Sequence, residues 1–477
     1  MQPTDILARH ARALERRRPL EPVWQSCYDH ALPPPAGGPA LFDATAADAA
    51  EQLAASLLAE LTPPWSRWFG LTPARPVADT PQGRATAEAL ADAATTLQGH
   101  FDRSNFAIEM HQAFLDLVVA GTGLLLVEEA PLGEASAFRF TAVPLRSAVL
   151  EEGVSGRLDT VFRQARLTAA EIRRRHLGAE LPPELLRAAA ADDPALHPVL
   201  EAIWPERNGL RYAALLTSEP DRPVVLAEGR FAESPCIAFR WLKAPGETYG
   251  RGPVMKALPD IRTANAVVEM VLKNASIAVT GIWQAEDDGV LNPATVKLVP
   301  GSIIPKAPGS AGLTPLAAPG NFDISQLVLQ DLRSRIRAAM LADRLGPQQD
   351  AKMTATEVLE RAAQTSRLLG ATYGRLQAEL LTPLVTRCLA ILRRRGEVPP
   401  LLLDGREVVL RYESPLARVQ GRADAANTLL FLQAVGKIGG DAAAQVDAAA
   451  ATRWLARTLG APAEVLVPAT PPLPNRE

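Results

Sequence analysis

Histidines and carboxylates that could carry acid–base chemistry or bind a metal ion occur close together at two places. His100 stands two residues before Asp102, and His111 stands two residues after Glu109. An imidazole beside a carboxylate can act as a general base or ligate a metal. The chain has only six histidines, and no third ligand follows these pairs closely. We therefore interpret all four residues as surface or packing residues, with an acid–base or metal pair as the alternative.

Motifs that bind nucleotides or support hydrolysis are missing from the chain. It contains no G-x-x-x-x-G-K-[ST], H-E-x-x-H or G-x-S-x-G sequence. Gly121 and Gly123 resemble the start of a dinucleotide fingerprint, but position 126 is Leu126 and the glycines precede the expected strand instead of following it. They fit close packing of a helix on a strand. We predict no catalytic residue, no metal site and no cofactor, and we predict that the protein is not an enzyme.

Three runs of arginine could bind an anionic partner. They are Arg16–Arg18, Arg173–Arg175 and Arg393–Arg395. The last run stands just before Gly396, where cations complement the dipole of a helix C-terminus. We interpret each run as a solvated helix end, with a nucleic-acid contact as the alternative.

Composition indicates a folded chain without covalent or metal cross-links. Of 477 residues, 47% are hydrophobic and 22% charged, and the formal charge is −3. This balance excludes a globally basic nucleic-acid binder but not a local basic face. Three scattered cysteines exclude a disulfide framework. The first residues lack the apolar region of a signal peptide, and no segment is long enough to span a bilayer. We expect a soluble protein made in a reducing compartment.

The N-terminal half has the pattern of an α+β domain. Helical spacing covers residues 4–30, with a break near Pro19, and then residues 43–61 and 83–118. A buried strand is predicted at 124–127, and a short basic helix at 168–178. Alternating, β-branched segments at 137–165 and 199–243 indicate further strands.

The C-terminal half is mainly helical. Helices are predicted at 258–279 and 323–341, on either side of a strand-prone insert at 280–322. A polar break at 342–352 leads into a helix at 354–395, which would be about 60 Å long. Thr354 and Glu357 form a capping-box pattern at its start. A strand at 407–412 and helices within 416–460 follow.

The helices at 258–279 and 323–341 are both amphipathic. On the second, apolar residues recur every fourth position, and a polar face carries Gln326, Gln330, Arg333 and Arg337. On the first, Glu269 and Lys273 are spaced for an ion pair. Periodicity alone allows two interpretations. The helices form an ordinary hairpin inside one globular core, or a wall of paired helices shared between subunits with a polar face turned to a lumen.

At this point the sequence resembles the head-to-tail connector, or portal protein, family of short-tailed bacteriophages. The most specific stretch is 239–281, whose core is Gly246, Glu247, Tyr249, Gly250 and Arg251 followed by Leu-x-Asp-Ile-Arg. Further segments resemble the family in the same order, at 55–68, 104–129, 353–392 and, more weakly, 421–435. The resemblance thus extends from about residue 5 to residue 460.

The resemblance implies a mainly α-helical portal fold with an α+β wing, in a ring of about twelve copies around a DNA channel. The implied layout is a wing at 1–257, stem helices at 258–279 and 323–341, a clip at 280–322, a tunnel loop at 342–353, a long wing-to-crown helix at 354–398, a crown at 399–465 and a disordered tail at 466–477.

The resemblance also implies contacts with double-stranded DNA that are independent of base sequence. In the tunnel loop the implied residues are Arg344, Gln348, Gln349, Asp350 and Lys352. In the stem they are Lys273, Arg333 and Arg337. For the 246–251 phrase we expect a structural turn, with Tyr249 packed and Arg251 paired across subunits, and a ligand site as the alternative.

The implied partners are other copies of the chain, capsid and scaffold proteins, a packaging terminase and tail adaptor proteins, with no membrane. The implied location is one vertex of the virion, after synthesis in the host cytoplasm. Two other classes of protein stay open. One is a soluble α+β enzyme whose site assembles from scattered residues such as His100, Asp102 and His111. The other is a different capsid-associated adaptor.

Overall fold

A computed structural model of the chain combines helices and antiparallel sheets. It describes residues 2–32, 38, 40–64, 66–73, 81–207, 209–219, 222–280, 283–285, 307–309, 311, 313–315, 322–342, 370, 372–399, 408–412, 415–438 and 445–459. The mixed character confirms the α+β prediction for the N-terminal half. No described helix has the length and hydropathy needed to cross a bilayer.

Five helices precede the main sheets. They are α1 (Pro3–Arg17), α2 (Glu21–Ala31), α3 (Thr45–Leu61), α4 (Pro81–Asp102) and α5 (Phe106–Ala120). A 3₁₀ turn at Arg18–Leu20 separates the first two, as the break predicted at Pro19 requires. The prediction of a single helix at 83–118 is wrong in one respect, because residues 103–105 divide this segment into α4 and α5. The Asn105 side chain is hydrogen-bonded to Phe140 there, which favours the interruption.

Nine strands are described in the N-terminal half. All but the first overlap the segments predicted as strands, and no strand was predicted at 69–73. The nine strands are β1 (Phe69–Pro73), β2 (Thr122–Glu129), β3 (Phe138–Ala142), β4 (Ala148–Glu152), β5 (Leu158–Thr168), β6 (Leu196–Glu206), β7 (Gly209–Leu216), β8 (Val224–Phe231) and β9 (Cys236–Arg240). Strands β3-β2-β9 form one antiparallel sheet, and β4-β5-β6-β7-β8 form another. Two short helices, α6 (Ala169–Arg175) and α7 (Pro183–Ala190), connect β5 to β6.

Side chains from other segments bond backbone groups at both edges of the three-stranded sheet. At the β3 edge, Asn105 donates to the Phe140 carbonyl at 2.8 Å and accepts the Phe140 N–H at 3.0 Å. The Ala142 N–H donates to Glu109 at 2.7 Å. At the β9 edge, the Arg240 N–H donates to Glu379 at 3.0 Å. These bonds satisfy backbone groups that an open edge would leave available to another strand.

The second half of the chain is mainly helical, as predicted. Its described elements are α8 (Pro253–Thr280), β10 (Trp283–Ala285), β11 (Leu313–Pro315), α9 (Phe322–Ala339), α10 (Thr382–Arg395), β12 (Val408–Tyr412), α11 (Pro415–Ile438) and α12 (Ala448–Leu459). Helix α8 begins five residues before the predicted position, because Pro253 is compatible with a first helical turn. Strand β12 pairs with β1, so the N-terminal and C-terminal halves of the chain contribute one strand each to a small antiparallel sheet.

A π-helical turn, Gln377–Leu381, leads into α10. It lies just before Pro383, a position predicted to kink the long helix. Proline has no N–H to donate and its ring crowds the carbonyl one turn earlier, so a wider turn relieves both problems. The Gln377 carbonyl accepts the Thr382 N–H of this turn and also a hydrogen bond from Thr382 Oγ1 at 2.9 Å. The predicted start of this helix at Thr354 lies outside the described residues.

The largest hydrophobic core unites helices from both halves of the chain with the three-stranded sheet. It includes Leu53 of α3, Phe114 of α5, Ile261 of α8, Ile336 of α9 and Leu384 of α10, each nearly inaccessible to solvent. The five-stranded sheet packs α1 on one side and α6 with α7 on the other. The base of the α8–α9 hairpin is therefore continuous with the main core.

Candidate functional site

The apolar faces predicted for α8 and α9 pack against each other at one end of the hairpin. Ile261 and Ala264 of α8 are buried, as are Leu332 and Ile336 of α9 and Met340 directly after it. The four-residue spacing on α9 matches the helical period, so these side chains lie on one face. Asp260 of α8 accepts a hydrogen bond from Arg335 of α9 at 2.8 Å, which ties the two helices together at their rim.

Polar contacts fasten this buried end of the hairpin to the N-terminal helices. Asn265 Oδ1 accepts the N–H groups of Phe42 and Asp43, at 2.7 and 3.2 Å. Asp43 in turn accepts Arg333 Nε at 2.8 Å and the Thr45 N–H at 3.0 Å. Burial acts to raise the pKa of Asp43, but the bonds from Thr45 and Arg333 outweigh it and hold that pKa below its usual value. The Asp43 carboxylate thus joins the segment before α3 to α9, and the backbone N–H groups of Phe42 and Asp43 join it to α8.

The other end of the hairpin carries large apolar side chains that the rest of the described chain leaves uncovered. Met270 and Leu272 of α8 are 64% and 52% exposed, and Leu327 and Val328 of α9 are 70% and 45% exposed. A cluster of this kind on amphipathic helices is typical of a surface that another molecule covers. The hairpin therefore has an anchored base and an apolar distal face.

The three predicted stem cations have different surroundings. Lys273 pairs with Glu269 at 2.7 Å, which confirms the predicted spacing, and its side chain is exposed. Arg337 is exposed and has no ion pair within the described part of the chain. Arg333 lies on the predicted polar face, but its side chain forms an ion pair with Asp43. Periodicity identified the face, but it did not reveal that Asp43 packs against it.

The 246–251 phrase forms a tight turn directly before α8. Gly246 has φ +80°, a value that favours glycine. Tyr249 is buried, packs edge-on against Trp24 with ring centroids 5.1 Å apart, and accepts the Leu150 N–H at 2.9 Å. Burial, the larger effect, raises the pKa of Tyr249 to about 12. Tyr249 is thus packed as predicted. Arg251 pairs with Glu247 of its own chain at 2.5 Å, and its pairing across subunits stays a prediction.

Backbone contacts between glycines attach this turn to the start of β2. Gly121, at φ +79°, ends α5, and a Cβ there would lie 2.4 Å from the Gly252 nitrogen. A Cβ on Gly250 would lie 2.1 Å from the Gly121 carbonyl oxygen. Gly121 and Gly123 therefore permit close packing, as the sequence indicated, and the partner of Gly121 is the 250–252 backbone.

A buried ionic cluster, which the sequence analysis missed, joins the turn to the π-helical segment. Arg240 is fully buried and donates to Glu379 from Nη2 at 2.6 Å and from Nε at 3.2 Å. It also donates to Glu152 at 3.2 Å and to the Thr248 carbonyl at 3.0 Å. Lys243 pairs with Glu152 as well. The 139 residues between Arg240 and Glu379 explain why no local pattern revealed the pair.

The structure brings none of the candidate acid–base residues into a reaction site. His100 is buried, its Nδ1 accepts the Ala137 N–H at 3.0 Å, and its Nε2 therefore carries the proton that bonds Glu397 at 2.7 Å. Asp102 accepts a bond from Gln98, and Glu109 closes the β3 edge. No hydrogen bond joins any two of the four residues His100, Asp102, Glu109 and His111, all of which are described.

The predicted tunnel-loop residues lie outside the described residues. They are Arg344, Gln348, Gln349, Asp350 and Lys352. Most of the predicted clip at 280–322 also lies outside them, although β10 and β11 pair antiparallel within it. Within the described part of the chain, no cluster of three or more potential metal-binding residues occurs.

Comparison with known proteins gives one consistent family. A family model of bacteriophage head to tail connecting proteins matches residues 4–466. The probable portal protein of Bordetella phage BPP-1 is 27% identical over 454 residues, covering 90% of this chain and 80% of that protein. The portal protein of Escherichia phage T7 is 23% identical over 410 residues, covering 81% and 74%. A chain from the virion of a native gene transfer agent particle has a TM-score of 0.39 and 12% identity, covering 85% of this chain and 88% of that chain.

Proposed function

Because the chain belongs to the family of bacteriophage head to tail connecting proteins, we propose that it works as a ring of about twelve copies that forms the passage for DNA at one capsid vertex. It is a portal protein, a structural component of the phage particle and not an enzyme. The passage serves DNA packaging and later ejection. The ring, its copy number and its DNA channel are proposals.

The observation that carries the proposal is the α8–α9 hairpin. Its base is held by Asp43 and Asn265, while Met270, Leu272 and Leu327 remain uncovered at its other end. In a ring of more than two copies, each contact joins different sides of neighbouring subunits. Another side of the neighbouring hairpin would then cover these side chains, and burial of apolar surface would stabilise the assembly. The hairpin would then form the wall of the channel.

Contacts with DNA in such a channel must be weak enough for the duplex to slide. DNA carries a dense line of phosphates, so a strongly basic wall would hold it. A net charge of −3 per copy with a few cations fits a sliding contact. We assign these contacts to Lys273 and Arg337, and to the tunnel-loop residues Arg344, Gln348, Gln349, Asp350 and Lys352. We expect Arg333 to contribute less to DNA contacts, because its charge is already paired with Asp43.

We assign the remaining regions by the family layout. Residues 1–257 form the wing, 280–322 the clip that meets the packaging terminase and later the tail adaptor, and 399–465 the crown inside the capsid. Capsid and scaffold proteins surround the ring, the protein is made in the host cytoplasm, and DNA binding is independent of base sequence. The residues of the 246–251 turn hold the wing against the first stem helix.

Mass measurement and imaging of the purified chain test the proposal. We expect particles many times the 51.0 kDa subunit mass, with a central hole in negative stain. A monomer or dimer at every salt and protein concentration tested would contradict it and favour a soluble α+β enzyme. A closed ring whose hole is too narrow for a duplex would favour another capsid-associated adaptor.

The tunnel-loop assignment has a separate test. We would measure the length of packaged DNA in particles that carry Arg344→Ala or Lys352→Ala. Each substitution removes a cation, so we expect altered packaging or retention of DNA. Unchanged packaging and retention in both variants would remove the loop from this role while leaving the ring intact.

A further inference from the structure

A cavity of about 340 Å³ lies where the two sheets of the N-terminal half meet α10. Strands β2, β5, β6 and β7 line it, together with Phe231 at the end of β8, and α10 contributes Arg387 and Arg394. Nothing in the proposed channel or ring uses this space. At about 30 Å³ per water molecule in the liquid, it has room for a ligand of several non-hydrogen atoms.

Two of the three arginines in its wall are matched by carboxylates. Arg163 pairs with Glu201 at 3.2 Å, and both side chains are largely buried. Arg394 pairs with Glu129 at 2.9 Å nearer the surface. Because each of these arginines already has a carboxylate partner, neither needs a ligand anion to balance its charge.

Arg387 is the exception. Its side chain is only 4% exposed, and no carboxylate lies within 4.0 Å of its nitrogens in the described part of the chain. Nε and Nη1 make long bonds to the carbonyls of Val127 and Glu233, at 3.4 and 3.3 Å. Its Cζ lies 5.2 Å from the centre of the Phe231 ring. Nη2 has no acceptor among the described residues.

The described residues satisfy this guanidinium only in part, and Nη2 keeps some contact with solvent. A buried cation without a carboxylate partner loses its hydration without equivalent compensation. Burial, followed by the nearby Arg394 charge, lowers the pKa of Arg387, and the more distant Glu129 carboxylate opposes this shift only in part. Burial raises the pKa of Glu233 overall, although the Arg387 charge in turn acts to lower that pKa. The planar guanidinium fork is suited to two parallel bonds with one oxyanion.

We infer that the cavity is a binding site for a small oxyanion, a phosphate or a carboxylate, held by Arg387. The Glu128 carboxylate also lines the cavity, and its charge acts on Tyr212 and Cys236. A ligand that carries a hydroxyl beside its charged oxygens, as protonated phosphate does, satisfies both Arg387 and Glu128.

Thermal unfolding of the monomeric chain in phosphate and in chloride, at equal ionic strength, tests the site. A ligand that binds only the folded state raises the unfolding midpoint, and we expect a saturable rise of about 2 °C or more in phosphate for the wild type. Arg387→Met should lose the response. In chloride this variant should be at least as stable as the wild type, because a buried unpaired charge is replaced by an apolar side chain of similar length.

Two further variants make the result specific. Arg335→Met removes an exposed arginine that pairs with Asp260 outside the cavity, and it should respond to phosphate as the wild type does. Arg387→Lys keeps the charge but not the fork, so its response should require more phosphate. A wild type that responds equally to phosphate and chloride, or an Arg387→Met chain that keeps the full response, would overturn the inference.

The oxyanion has two possible sources, a free ion or an acidic side chain of a neighbouring copy. The second source rests on the proposed ring. Phosphate competes with a neighbour's carboxylate, so rings should dissociate more readily in phosphate than in chloride if the neighbour supplies it. If the ion is free, the ring should be equally stable in both salts. The monomer experiment does not depend on ring formation, so the two proposals can fail separately.

Discussion

Single residues hold distant parts of this chain together through buried charge. Arg240, Glu379 and Glu152 come from β9, the π-helical turn and the end of β4, and their bonds converge within one cluster. Arg17 does similar work, since its buried guanidinium donates to the carbonyls of Leu145 and Ala148. Because each arginine is buried and bonded to several partners, removal of one partner leaves its charge buried with weaker compensation.

Replacement of Glu379 by alanine should therefore be costly. It leaves the Arg240 guanidinium buried with only Glu152 and backbone carbonyls, and it frees the Arg240 N–H at the sheet edge. Loss of one partner of a buried pair costs about 3–5 kcal/mol. Denaturant unfolding monitored by circular dichroism would measure the loss. The exposed Glu247→Ala variant is the control and should unfold like the wild type, and equal stabilities for the two variants would contradict this view of the cluster.

Asp116 should make stability depend on pH in the opposite sense to a typical carboxylate. Its carboxyl accepts bonds from the Tyr28 hydroxyl at 2.9 Å and the Leu145 N–H at 3.4 Å, yet burial raises its pKa to about 6. Between the ordinary value near 4 and about 6, the folded chain binds more protons than the unfolded chain. Stability from this group is therefore present at low pH and falls as pH rises toward 6.

The Asp116→Asn variant isolates this contribution. Relative to this variant, the wild type should lose about 2 kcal/mol of unfolding free energy between pH 4.5 and pH 7. Urea titrations of both proteins at each pH give the difference, and titrations common to both cancel. Asp102→Asn, at an exposed position, should follow the wild type. A wild type that gains stability over Asp116→Asn as pH rises would contradict the assignment.

At the scale of elements, glycine contacts fix the position of α8 relative to β2. The 250–252 backbone lies directly on Gly121, so there is no space for a Cβ on either side. The turn between them also holds Tyr249 against Trp24. The direction in which α8 leaves the sheet is thus set by backbone packing.

Gly250→Ala should separate these two segments. The added Cβ would meet the Gly121 carbonyl, and overpacking of this kind against backbone costs about 3 kcal/mol. Gly436→Ala is the same change in the last turn of α11, where no atom lies within 4 Å of the new Cβ. That variant should gain up to about 1 kcal/mol from helix propensity. We expect the unfolding midpoint to fall for Gly250→Ala and to rise for Gly436→Ala, each relative to the wild type. An unchanged midpoint for Gly250→Ala would contradict the proposed backbone contact.

The spacing of residues along the chain predicted the helices and strands better than it predicted the contacts between them. The periodicity of α8 and α9, the Glu269–Lys273 pair and the break at Pro19 all depend on neighbouring residues, and all were predicted. Asp43 and Arg333 are 290 residues apart, so no spacing rule could join them. A polar helical face looks the same in sequence whether water or a buried carboxylate covers it. The interruption at Asn105 depended on strand β3, which that segment does not contain.

For the whole molecule, ring formation by the hairpin gives a test that leaves the subunit folded. Leu327→Glu places a charge on a side chain that is 70% exposed in the single chain, so the monomer should keep its fold. Burial of that charge against a neighbour is unfavourable, and we expect the ring to dissociate to monomers. Light scattering during size-exclusion chromatography measures the mass, with circular dichroism as the check on folding.

Gln326→Glu is the matched control for this substitution. It adds the same charge on the adjacent residue, at an exposed position on the predicted polar face. Rings should therefore persist. Intact rings with Leu327→Glu would show that the distal apolar face is not the contact between copies.

The side-chain bonds at the edges of the three-stranded sheet have a consequence for assembly inside a crowded cell. Copies that gather in large numbers risk joining through unpaired strands into open-ended aggregates. Asn105, Glu109 and Glu379 occupy those backbone groups before any second copy arrives. These backbone groups are therefore not free to pair with a strand of a second copy, which favours association through other surfaces.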